Sequence, residues 1–64
     1  MGFRSARKAA GLTLEQAGLR LGVSAAAISM WETGKAMPEA RRLIDIAKAY
    51  DCTVDELLRE EAGE

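Results

Sequence analysis

The chain holds no histidine and one cysteine, Cys52, and that inventory sets which chemistry is open to it. A nucleophile needs an adjacent base, and without imidazole neither a Ser-His-Asp nor a Cys-His arrangement can be built. One thiol makes no intrachain disulfide, and without histidine it does not complete a common zinc site. Carboxylates are plentiful, but they gather toward the C-terminus in a pattern that reads as a solvated helix face. No enzyme activity, metal or cofactor is therefore expected. The cations are more informative, because they are unevenly spread. Residues 1–35 carry Arg4, Arg7, Lys8, Arg20 and Lys35 against Glu15 and Glu32, a balance of +3. Residues 36–64 carry four cations against eight acids, a balance of −4, so the net charge of −1 conceals two halves of opposite sign. A basic half can face phosphates while an acidic half faces away.

At 64 residues the chain reads as a single domain. A domain of this size buries only about 60% of its unfolded surface and is marginally stable. With disulfide and zinc staples excluded, its stability rests on close helix packing, helped by a partner subunit. No apolar run approaches the roughly 18 residues of a membrane span. Arg4, Arg7 and Lys8 interrupt any signal-peptide core, and a lone cysteine fits a reducing compartment. A cytoplasmic protein with no membrane partner is the expectation.

These residues must be positioned by helices, since β-branched residues are sparse and the apolar periodicity is helical throughout. The spacing predicts a first helix over residues 3–10, with Gly11 as its C-terminal stop. Thr13 and Gln16 form a capping box for a second helix over 14–21, closed by Gly22. Ser24 caps a third helix over 25–32, where Ala27 leaves the box incomplete. Pro38 precedes a fourth helix over 39–50, with Leu43, Ile46, Ala47 and Tyr50 as its apolar stripe. Thr53 and Glu56 box a fifth helix carrying Val54, Leu57 and Leu58, and residues 59–64 form a charged tail expected to fray. The fold class is all-α, a compact five-helix domain.

Within it, residues 13–32 hold two short helices separated by Gly22-Val23-Ser24. Ala17, Gly18 and Gly22 are small enough to let the pair cross closely, and Val23, Ile28 and Trp31 are spaced to fill the gap beneath. Linked features extend from Phe3 to Leu58. Arg7 precedes Gly11-Leu12-Thr13, and Leu21-Gly22-Val23-Ser24 makes the turn. Ile28-Ser29 and Trp31-Glu32-Thr33-Gly34-Lys35 follow, then Pro38, Leu43, the Ile46 to Tyr50 run and Val54-Asp55-Glu56-Leu57-Leu58. This ordered set resembles the lambda-repressor-like (Cro/repressor, XRE) helix-turn-helix family.

The resemblance implies a DNA-binding transcription regulator of the repressor type, docking helix 25–32 in the major groove of double-stranded DNA. It implies that Arg7 pairs with Glu32, fixing the recognition helix and aiming the arginine toward a phosphate. The DNA-facing positions fall on Ser24, Ala25, Ala26, Ser29 and Met30, with phosphate contacts at Lys35 and Arg41 and weaker ones at Arg4 and Lys8. The N-termini at Thr13 and Ser24 offer further N–H groups to phosphates. Here the chain departs from the family, which favours Gln, Arg, Asn or Lys at base-reading positions. Alanine can touch only a thymine methyl, and Leu14 stands where a polar residue is common. Leu14, Leu19, Met30 and Met37 read as exposed apolar residues, which leaves an alternative: a protein-interaction module of the same fold, antitoxin-like or an accessory factor, with little DNA affinity. Trp31 is expected in the core and Cys52 as a small filler. A homodimer through Tyr50, Val54, Leu57 and Leu58 is expected on a two-fold site.

Overall fold

A computed structural model describes residues 2–59, so most of the expected fraying tail lies outside the described residues. Five helices follow one another: α1 (Phe3–Ala9), α2 (Leu14–Leu21), α3 (Ala25–Thr33), α4 (Ala40–Ala49) and α5 (Val54–Leu58). No strand is present among the described residues, and no described helix is long and apolar enough to cross a membrane.

The helix ends follow local hydrogen-bond chemistry. Both capping boxes form: Thr13 Oγ1 accepts from Gln16 N–H while Gln16 Oε1 accepts from Thr13 N–H, and Thr53 and Glu56 repeat the exchange. The N–H and hydroxyl of Thr53 hold the Glu56 carboxylate below its ordinary pKa. Ser24 Oγ accepts from Ala27 N–H at 3.1 Å with no reciprocal bond, since Ala27 has nothing to return. At the end of α1, Gly11 N–H donates to the Lys8 carbonyl and Leu12 N–H to the Arg7 carbonyl, the paired bonds of a Schellman stop. The observed α1 and α4 are slightly shorter than expected, with Glu39 and Tyr50 flanking α4 as caps. Helix α3 runs one residue further than expected, through Thr33.

The core draws one or two residues from each helix: Ala6, Ala17, Ile28, Ile46 with Ala47, and Leu57, joined by Leu12 and Tyr50 from the connections. Trp31 and Cys52 pack against it half-buried. Three of the six helix positions are alanine, so the helices sit close and little apolar volume is held in reserve. That scarcity corrects two expectations. Tyr50 and Leu57, assigned to a dimer surface, are 3% and 2% exposed: α5 is a five-residue helix, and its inward leucine is needed to close the monomer. Val54 also packs against the core, leaving Leu58 as the exposed member of that set. Leu14 is half-buried rather than exposed, because it shares the inward stripe of α2 with Ala17, Gly18 and Leu21.

The crossing of α2 and α3 depends on Gly18. A β-carbon there would stand 2.6 Å from the Val23 carbonyl oxygen, a backbone atom that cannot swing aside. Gly22 serves differently. A β-carbon there meets nothing, but its φ of +71° lies in the left-handed region, which suits glycine and turns the chain from α2 toward α3. Its smallness is thus not what the crossing needs. Replacing Gly18 by Ala should destabilise the fold by about 1–3 kcal/mol, the usual range for overpacking. An unchanged urea midpoint for Gly18→Ala would show that the crossing has slack.

Candidate nucleic-acid interface

Helix α3 is rotated so that Ile28 (1% exposed) and the half-buried Trp31 face inward. The opposite stripe, Ala26, Met30 and Thr33, recurs at i, i+4 and i+7 and is exposed, Met30 to 41%. Ser24 is exposed at the N-terminal end, while Ala25 and Ser29 lie half-buried at the edges of the stripe. Lys35 and Arg41 are exposed. Lys35 is tethered by its backbone N–H, which donates to the Met30 carbonyl at 3.0 Å. Neither cation has an ion-pair partner among the described residues. Of the residues singled out by sequence, Ser24, Ala26, Met30, Lys35 and Arg41 are thus surface groups, and Ala25 and Ser29 are partial ones.

Arg7 and Glu32 meet beneath this face. Arg7 Nε donates to Glu32 Oε2 at 2.6 Å, and Arg7 Nη2 donates to Oε1 at 3.3 Å. A third bond runs from Arg7 Nη1 to the Leu12 carbonyl at 2.8 Å. The side chains are only 10% and 3% exposed. The bond to Glu32 raises the Arg7 pKa further, against the opposing effect of burial. These donors point to Leu12 and Glu32, inside the fold rather than toward a phosphate outside it. Arg4, mostly exposed, adds a longer contact from Nε to Glu32 Oε1 at 3.4 Å.

Three participants escaped the sequence reading. Thr33 extends the exposed stripe, and its signal is its place seven residues after Ala26, one residue beyond the helix end that the spacing predicts. Arg42 Nη1 donates to the Leu21 carbonyl at 2.8 Å, satisfying an orphan acceptor at the end of α2. That contact joins positions 21 residues apart, and no local pattern announces it. The Arg4 contact is equally non-local. Cys52 is half-buried, and burial pushes its thiol pKa upward, which suits packing rather than reactivity.

Comparison with known proteins adds a family. The helix-turn-helix family profile matches residues 3–57. An HTH-type transcriptional activator, BcrR of Enterococcus faecalis, is 49% identical over 47 residues, covering 73% of this chain and 23% of the relative. The chain therefore spans about a quarter of that protein's length. No solved structure matches the chain.

Two measurements test the buried pair and its surroundings. Glu32→Ala strands the Arg7 guanidinium and should cost about 3–5 kcal/mol, enough to unfold most of a domain this small. Replacing both residues with apolar ones of similar volume should cost far less, and equal losses in urea unfolding would contradict this account. Tyr50 sits beside the pair, and burial, reinforced by the Glu32 charge, pushes its pKa up to about 12. Because the folded pKa is raised, its stabilising contribution is complete below the unfolded value of about 10 and is lost as pH rises through the folded one. Tyr50 is the chain's only tyrosine, so phenolate absorbance reports it alone. Phenolate should appear near pH 12, or together with loss of helix, and near pH 10 in urea. Ionisation at pH 10 with the helices intact would show that the ring is not buried.

Proposed function

This chain belongs to the XRE-type, lambda-repressor-like family of helix-turn-helix domains, and from that membership we propose that it binds double-stranded DNA as a transcription regulator, with α3 in the major groove. The observation that carries this reading is the state of α3 itself. Its single charged residue, Glu32, is turned inward onto Arg7, so the exposed stripe presents no acid to the polyanion. Lys35, whose N–H bonds the Met30 carbonyl, stands at the C-terminal end of that stripe, and Lys35 and Arg41 are exposed and without ion-pair partners among the described residues. In this geometry the cations bond phosphates and set the register, while Ser24, Ala25, Ala26, Ser29 and Met30 meet base edges.

One recognition helix covers few base pairs. Two copies on half-sites about one helical turn apart would double the contacts, so we propose a two-fold operator. The pairing surface we propose lies away from Tyr50 and Leu57, which are buried in the core. The regulatory sign we propose is repression, because occupying a promoter suffices for it. The Enterococcus faecalis relative is an activator by name, and activation of a reporter by this chain would reverse the sign without touching the DNA reading. The role belongs in the cytoplasm.

A second reading, a protein-interaction module, is favoured by one observation: Leu19 is 84% and Met37 67% exposed. Titration against random-sequence duplex across salt separates the two. Binding that weakens steeply with salt supports the regulator. Indifference to DNA even at low salt supports the module. Within the regulator reading, Lys35→Ala should weaken all sequences alike and reduce the salt slope by about 1, whereas Ser29→Ala should alter preference among sequences. If neither variant changes DNA binding, the face is misplaced.

A further inference from the structure

We propose that α3 recognises its site mainly through the C5-methyl groups of thymine, so that the preferred DNA carries thymines beneath Ala26 and Met30. This rests on the DNA-binding reading above and names what that face selects.

The groups able to make directional bonds to bases are largely committed elsewhere. Glu32 is held by Arg7. The Thr33 hydroxyl donates its hydrogen to the Met30 carbonyl at 3.3 Å. Ser24 Oγ accepts from Ala27 N–H and keeps its own hydrogen, but it caps the start of the helix and lies off the stripe. Ser29 is half-buried at the edge. What remains along the centre of the stripe is the Ala26 methyl and the flexible, partly exposed Met30 thioether.

The major groove offers this apolar stripe one apolar partner. Every base pair displays donors and acceptors there, but only thymine adds a methyl group. Pressed against a G·C pair, Ala26 and Met30 would strip water from polar groups and return no hydrogen bond, which is costly. Pressed against thymine methyls, the same side chains bury apolar surface on both partners. Methionine suits this contact because its unbranched, polarisable chain adapts to small shifts in register. The occupant is the duplex of the DNA-binding reading: an uncharged stripe with the exposed Lys35 at its C-terminal end matches apolar methyls beside a row of phosphates.

The test uses the intact chain and two duplexes of equal length, one of alternating dA and dT and one with every dT replaced by dU. The replacement removes only the methyl and keeps base pairing. Binding to the dT duplex should be tighter by about fourfold for each methyl buried, and so by about tenfold or more if two are covered. Met30→Gln, a change at an exposed position, should bring the dT-to-dU ratio toward one. Lys35→Ala should weaken both duplexes and leave the ratio intact. Equal binding to the two duplexes, or a ratio that survives Met30→Gln, would overturn methyl recognition while leaving DNA binding in place. Failure to bind either duplex at low salt would overturn the DNA reading and this inference with it.

Discussion

One guanidinium connects three parts of this fold. Arg7 leaves α1, reaches the Leu12 carbonyl in the following turn and grips both carboxylate oxygens of Glu32 on α3. A buried cation must find such partners, because desolvation without them is prohibitive. The planar fork also satisfies itself in only one orientation. The consequence is rotational. With Glu32 held inward beside Ile28 and Trp31, the helix has no choice but to turn Ala26, Met30 and Thr33 outward. The geometry of the pair fixes where α3 points.

Packing supplies the complementary restraint. The helices approach closely because alanine and glycine occupy the contact positions, and Gly18 in particular leaves no room for a methyl group against the Val23 carbonyl. A core made from so few residues must use each one. Tyr50 and Leu57 are therefore spent inside the core, while Leu19 and Met37 remain exposed.

The same economy reshapes the electrostatics. The +3 balance of the N-terminal half already sets Glu32 against a cation, and the structure shows which one: Arg7, with a longer contact from Arg4. In the other half, Arg42 is directed to the end of α2, and Glu56 closes a helix N-terminus. The cation left at the end of α3 is Lys35. A net charge of −1 is compatible with a polyanion as partner because the local balance around one helix, rather than the total, governs the contact.

Much of the architecture was legible without coordinates. Capping boxes at Thr13 and Thr53, the Gly11 and Gly22 stops and the apolar periodicities are written within a few consecutive residues, since helix initiation and termination are local hydrogen-bond problems. The family pattern likewise named Arg7 and Glu32 and the residues along α3. Local patterns do not say which of two candidate apolar faces is buried when both look plausible. For that reason the sequence pattern alone places Leu14 on the surface and Tyr50 and Leu57 at an interface, where the structure half-buries the first and buries the other two. Nor do they register the bond from Arg42 to Leu21 or the approach of Arg4 to Glu32, each joining residues more than twenty positions apart. Only tertiary structure decides these, because burial and long-range pairing depend on how all five helices share one small core.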